Sequence, residues 1–382
     1  MKLPKYGRDI TFLLIESTTT SFILFMPVAY LLFRDIGLSQ FQIGLTQFVF
    51  AVTLLFLEIP TGYFADRVSR KISNAGGDIF LALAVLIYFF AANFWQVVAA
   101  EVLFGIGLSL SNGADSALLR AHCAEKKLSY QKIASRLQSY GFVASGVGAI
   151  VGAYIGAHNI RWPFLLQAIV FMVAAMFAFR IRNLGEHRKT TLHPVKDAYR
   201  IAKYCLHGHP RLAWRMVLGA CLMGSTMMMV WFMSPSFIRA GIDIKYHGLL
   251  FAAVSIIAIF GSEAVVFNAK LKHTTPFLIA ASAYILLGWK ISLYTVFFFL
   301  LTSFARGVNT ARTKPFIQEI TPDDIQATAI SVYGMLYRIV SSILVLLVNY
   351  VGNNNIQHGL MLSGIICVAM WAIFASKQRS FE

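Results

Sequence analysis

The chain has 382 residues, 58% of them hydrophobic and only 13% charged, with a formal net charge of +16. A soluble domain carries about 25% charged residues, so this composition excludes a water-soluble globular chain and points to burial in lipid. The 33 Lys and Arg are spread over separate short segments, which argues against one nucleic-acid-binding patch.

Twelve apolar segments long enough to cross a membrane as helices follow in order. They lie at 10–33, 40–64, 72–92, 96–119, 133–157, 161–181, 212–238, 246–268, 274–290, 292–315, 324–350 and 356–375. Spanning segments must satisfy their own backbone, and these runs are too long and continuous for barrel strands. With the N-terminus inside, 26 of the 33 Lys and Arg fall in inside segments or at the inside ends of the spans that border them. Five fall on the outside (Arg34, Arg161, Arg239, Lys245, Lys290), and Arg306 and Arg338 lie near mid-depth of their spans. That alternation obeys the positive-inside rule and places both termini in the cytoplasm.

The longest loop, 182–211, divides the chain into a six-helix half at 1–181 and a second at 212–382. Within it, Val195, Ala198, Tyr199, Ala202 and Cys205 or Leu206 recur at helical spacing, with Lys196, Arg200 and Lys203 elsewhere. This predicts a basic amphipathic helix at the inner membrane surface. The four cysteines show no paired spacing, and no disulfide is expected. The N-terminus runs into span 1 without a small-residue cleavage site, so no cleavable signal peptide is expected.

The run Gly62-Tyr63-Phe64-Ala65-Asp66-Arg67-Val68-Ser69-Arg70-Lys71 reads as a charged loop between spans 2 and 3. It resembles the signature loop of the major facilitator superfamily, G-x-L-A-D-R-x-G-R-K. Phe64 stands for the usual Leu and Ser69 for the second Gly. Glu58-Ile59-Pro60-Thr61 and Ser111-Asn112-Gly113-Ala114-Asp115-Ser116-Ala117-Leu118-Leu119 extend the likeness to a bacterial, drug-antiporter-like subgroup. The resemblance implies an all-α membrane protein of twelve helices in two halves, working by alternating access. Gly62, Asp66, Arg67, Arg70 and Lys71 would then form a gate that stabilises one access state. Two features depart from the drug–proton antiporters. Glu101 stands where they usually carry Arg, and span 5 lacks their Gly-Pro pair.

An ionisable side chain deep in a span costs a few kcal/mol and is a functional candidate by default. Glu16, Glu101 and Asp115 are the candidates for proton coupling. Arg306 and Arg338 are candidate clamps for a carboxylate or phosphate, with Asn309, Tyr333 and Tyr337 as neutral hydrogen-bonding groups nearby. The bland alternatives are internal ion pairs for the charges and packing for the rest. The methionines and aromatics of span 7, from Met223 to Met233, suit either a pliable wall or plain packing. Glycines at 148, 152 and 156 predict close helix packing in span 5.

No phosphate loop, dinucleotide fingerprint or nucleophile elbow is present, and the nine histidines have no metal-ligand spacing. No enzyme activity, cofactor or metal is expected. The reading is a monomeric secondary transporter in the inner (cytoplasmic) membrane, exporting a small organic anion or zwitterion, such as a metabolite or siderophore, in exchange for protons. The alternatives are a multidrug/proton antiporter for neutral or cationic compounds and an importer of an organic anion.

Overall fold

The computed structural model describes residues 6–184, 194–267, 272–322 and 325–381. Every regular element among them is helical. Span 1 is broken into α1 (Arg8–Ser21) and α2 (Met26–Asp35), bent by 41°. Then come α3 (Gln40–Arg67), α4 (Arg70–Phe90), α5 (Phe94–Ser111), α6 (Ala114–Glu125), α7 (Tyr130–His158) and α8 (Trp162–Arg180). After α9 (Pro194–Lys203) follow α10 (Pro210–Met227), α11 (Val230–Arg239), α12 (Ile244–Phe267), α13 (Thr275–Trp289), α14 (Phe299–Ile320), α15 (Gln326–Val351) and α16 (Ile356–Phe381).

Among the described residues nine helices are long and apolar enough to cross a membrane, or ten if α1 and α2 form one span. Two of the twelve expected segments do not meet that measure. At 15 residues α13 is about 22 Å long, short of the roughly 30 Å hydrocarbon core. Helix α14 carries Arg306, Arg312 and Lys314 in its interior.

Local chemistry sets the boundaries. Ser69, Asn93 and Ser129 cap α4, α5 and α7, each accepting from a backbone N–H three residues on. Pro163, Pro210 and Pro276 sit in the first turns of α8, α10 and α13, where no helical donor is lost. Gly113 adopts φ +84° between α5 and α6, a conformation that costs glycine little.

The chain divides into two compact units. The first takes Met1–Gly37, Val52–Thr191 and Ile244–Ala252; the second takes Leu38–Ala51, Leu192–Asp243 and Ala253–Glu382. In the first unit α4 packs against α5 and α8, and α1 against α7 and α8. Gly77 of α4 and Gly107 of α5 face each other so closely that a Cβ on either would meet the other's carbonyl oxygen within 2.8 Å. Gly152 of α7 lies against the Leu24 carbonyl at the break in span 1. These are the close approaches that small residues permit in lipid, where apolar burial does not drive helices together.

In the second unit α13 packs on α16, and α10 on α14 and α15. Gln40 Nε2 donates to Asn349 Oδ1 at 2.6 Å, a buried polar link from the start of α3 to α15. The linker helix forms as α9; of the expected face, Val195 and Ala198 have side chains outside the described residues, Cys205 is buried, and Ala202 and Leu206 are partly buried. Ile201 and Cys205 pack among Leu212, Met216, Ile317, Ala329 and Tyr333, whereas Tyr199 is exposed. The apolar neighbours of this segment among the described residues are protein side chains of the same unit.

Candidate functional site

The signature segment is mostly helix rather than loop. Residues 62–67 complete α3, and only Val68 and Ser69 separate it from α4. Ser69 Oγ accepts from Ile72 N at 3.2 Å, so the residue replacing the motif's second glycine works as a cap. No described atom lies within 4 Å of a Cβ placed on Gly62, so a side chain there would meet open space in this arrangement. Arg70 and Lys71 occupy the first turn of α4, both partly exposed. The side chains of Asp66 and Arg67 lie outside the described residues.

The first unit gathers buried acids. Glu16 on α1 is 3% exposed and Asp78 on α4 is 0% exposed. Asp78 acts electrostatically on Glu16, Glu16 meets Asp78 as a side-chain hydrogen-bonding group, and Asp115 from the first turn of α6 acts electrostatically on both. Asn74, one turn before Asp78 and fully buried, reaches Glu16. Thr20 Oγ1 donates to the Glu16 carbonyl at 2.7 Å and to Glu16 Oε1 at 3.4 Å. Asp115 Oδ1 also accepts from the Ser116 N–H, and its place at a helix N-terminus suits a carboxylate.

Glu101 does not join this group. Its side chain hydrogen-bonds Tyr88, ten residues beyond Asp78 on α4, roughly 15 Å along the helix axis. Of the three expected acids, the structure therefore brings two together, adds Asp78, and sets the third apart. Asp78 carries the signal that picked out the others, a carboxyl inside an apolar run, and sequence reasoning missed it.

The second unit gathers basic and sulfur-bearing groups. Arg306 on α14 is partly buried, and its Nη1 donates to Met227 Sδ at 3.8 Å. Its electrostatic neighbour is Tyr284 on α13, whose hydroxyl donates to the Ser225 carbonyl at 2.7 Å. No carboxylate ion pair to Arg306 occurs among the described residues. The break between α10 and α11 falls at Met228-Met229. Met229 Sδ accepts from Thr302 Oγ1, and Met228 Sδ from Ser363 Oγ at 3.9 Å. The methionines of span 7 thus supply acceptors to hydroxyls and to a guanidinium, beyond filling space.

Asn309 and Tyr333 are tied into the packing. Asn309 Nδ2 donates to the Gly219 carbonyl at 2.9 Å and to Tyr333 Oη at 3.4 Å, while Thr313 Oγ1 donates to Asn309 Oδ1 at 3.0 Å. This network joins α10, α14 and α15. Tyr333 and Tyr337 sit ring to ring at 5.9 Å. The Arg338 guanidinium lies 5.6 Å from the Tyr337 ring centre, a cation–π geometry. Arg306 is thus directed to α10 and α13, and Arg338 to a ring on its own helix.

Comparison with known proteins agrees with this architecture. The family model of the Major Facilitator Superfamily matches residues 11–345. The chain belongs to the major facilitator superfamily. It is 26% identical over 152 residues to the uncharacterized MFS-type transporter YxaM of Bacillus subtilis, covering 39% of this chain and 37% of that protein. It is also 26% identical to the multidrug resistance protein MdtG of Yersinia enterocolitica, over 47% of this chain and 44% of that one. The chain thus spans less than half the length of these two relatives.

Among solved structures, the nucleoside transporter NupG superposes with a TM-score of 0.77 at 11% identity, covering 97% of this chain and 98% of NupG. A bacterial homolog of the human lysosomal transporter Spinster, in an inward-facing and occupied conformation, gives 0.74 at 14% identity, covering 97% and 96%. At these identities the likeness is one of fold. Family and fold are those of multi-pass membrane transporters, not enzymes.

Proposed function

We propose that this protein is a secondary active transporter that moves a small organic anion or zwitterion across the cytoplasmic membrane by alternating access, coupled to protons and in the direction of export. The observation that carries the cargo class is Arg306. An arginine stays charged in such surroundings and needs a partner. Its described neighbours are a thioether, a phenol and backbone, so a carboxylate or phosphate on the cargo would complete the site. Arg338 and Tyr337 would supply a second contact. Two residue groups, 1–181 and 212–382, would move against each other, with both termini cytoplasmic and the protein monomeric.

The test is a thermal-shift screen of organic acids, zwitterions and lipophilic cations on purified protein, since a ligand of the folded state raises its apparent stability. Stabilisation by an anionic compound, lost in Arg306→Ala, is the expected result. Stabilisation by cations alone would favour the second reading, a multidrug/proton antiporter. That reading is supported by the similarity to MdtG and by the sulfur-rich break at Met228-Met229.

The signature segment would bias the two access states. Asp66→Asn is expected to lose most transport with near-normal expression, because about 1.4 kcal/mol between states already shifts their populations tenfold. Wild-type transport by this variant would reduce the segment to a topological anchor. Orientation is tested by a single cysteine at position 189. Efficient labelling from outside intact cells would reverse the proposed topology.

A further inference from the structure

The acid cluster of the first unit carries more than a pair of carboxyl groups in an apolar place. Five of its side-chain atoms are buried and lack a hydrogen bond of ordinary geometry: Glu16 Oε2, Asp78 Oδ1 and Oδ2, and Asn74 Oδ1 and Nδ2. Asn74 and Asp78 nevertheless both stand close enough to Glu16 to act on it as side-chain hydrogen-bonding groups. Four are acceptors when the acids are ionised, and one, the amide nitrogen, is a donor. A buried polar group left unpaired costs about 1–3 kcal/mol, and more when charged. The cluster as composed therefore lacks donors.

The charged surroundings add none. Asp115, the charged group facing the cluster from α6, is itself an acid. Helix α8 has no charged side chain before Arg180. Those of α7, Lys132 and Arg136, sit in its first two turns, with Arg136 over the Tyr6 ring at 5.8 Å. Arg70 and Lys71 lie two turns from Asp78 at the start of α4. A metal ion does not fit the set either. No group of three His, Cys, Asp or Glu able to hold one occurs among the described residues, and a metal would leave the Asn74 amide nitrogen unserved.

One proton changes the inventory. Bound to either carboxylate it removes a negative charge and turns an acceptor into an O–H donor. That donor can reach the other carboxylate or Asn74 Oδ1, while Asn74 Nδ2 donates to the carboxylate that stays ionised. We propose that Glu16 and Asp78, joined through Asn74, form a carboxyl pair that holds one proton between them and serves as the binding place of the coupling proton. This rests on the proton-coupled reading above and adds Asp78 as carrier and Asn74 as the positioning residue. The step is acid–base only. The proton enters from water on one side, resides as one carboxylic acid, and leaves to water on the other.

Infrared difference spectra of the full-length protein in liposomes, titrated with pH in H2O and D2O, read the protonated carboxyl directly. The expected result is one deuterium-sensitive carboxyl band in wild type, lost or displaced in both Glu16→Gln and Asp78→Asn. In Asn74→Leu it should be displaced but retained. Asp78→Asn keeps shape and removes a buried charge; should it fail to fold, Asn74→Ser gives the same displacement test. A band that Asp78→Asn and the Asn74 variants leave unmoved would overturn the pair. A band moved by exchanging choline for Na+ at fixed pH would overturn the proton in favour of an alkali cation. The spectra need no cargo, so a cargo of the wrong charge class would sink the functional reading without altering them.

Discussion

The two units differ in the sign of what they bury. In the first, Glu16, Asp78 and Glu101 are withdrawn from solvent, and of these Glu101 has a phenol for a partner. In the second, Arg306 lies among thioether and phenol groups, and Arg215 is buried with its guanidinium 4.7 Å over the Phe316 ring. Burying charge is costly in either place, so under the proposed function the contrast would reflect a division of labour. A region rich in unsatisfied acceptors suits a proton, and a region with an arginine facing soft, neutral groups suits an anion. One transporter fold can hold both because its helices supply rigid positions while single residues set the chemistry.

The sharpest way to break that contrast is to remove the basic side of it. Arg306→Ala is expected to weaken binding of an anionic cargo by about 2–5 kcal/mol, the range for breaking a desolvated charge pair. Arg338→Ala should cost less, because its guanidinium rests on an adjacent ring. Arg306→Lys should restore little, since Lys cannot make a planar two-point contact. Calorimetry on the purified variants decides this. Equal affinities in Arg306→Ala and wild type would make the arginine structural and erase the contrast.

A second test compares how each unit mends a broken helix. At the break in span 1, Leu24 N donates to Gln167 Oε1 of α8 at 2.7 Å, a buried bond. Near the break after α10, the Ser225 carbonyl accepts from Tyr284 Oη. Gln167→Ala would leave a buried N–H unpaired and should cost about 1–3 kcal/mol of stability. Tyr284→Phe should cost about 0.5–1.5 kcal/mol, the usual net worth of one hydrogen bond. Thermal unfolding in detergent ranks the two. The reverse order would mean that the second break depends on its side-chain partner more than the first.

Much of this was legible in the residues, for reasons that differ by feature. The membrane class and the family followed from long apolar runs and from Gly62 to Lys71, because both are local. The Gly113 turn was missed: residues 96–119 read as one continuous span, although Asn112-Gly113 lies inside it. The breaks at 22–25 and 228–229 were not legible, since neither stretch holds Gly or Pro, and at 22–25 the freed backbone is met by a residue more than 140 positions away. Asp78 lies only two turns from the charged start of α4, where sequence does not separate a helix end from its interior. The sulfur contact of Arg306 and the ring contact of Arg338 depend on rotamers, which spacing does not fix. At α9 periodicity found the stripe that includes the buried Cys205 but did not say which protein side chains it would meet.

The smallest effect concerns the basic end of the second unit, where a histidine meets two arginines. His273 precedes α13, outside the spans, and its Nδ1 faces Arg312 Nη1 at 3.3 Å. To accept that bond the ring must be neutral. Burial first, then the Arg215 and Arg312 guanidinium groups, push its pKa down from 6.5 to about 3. The unfolded chain therefore binds this proton more readily than the folded one. By linkage the contribution to stability is fully present above about pH 6.5 and is lost as pH falls towards about 3. The residue is only partly buried, so the effect is modest. Replacing it by a side chain that does not titrate, His273→Gln, should flatten the acid limb of a melting-temperature profile while leaving the value above neutrality nearly unchanged. Carboxylates elsewhere also titrate on that limb, so the difference between variant and wild type is the quantity to read. Parallel profiles would show that His273 is already free of the two arginines, and that this basic end is held apart by solvent, not by a neutral ring.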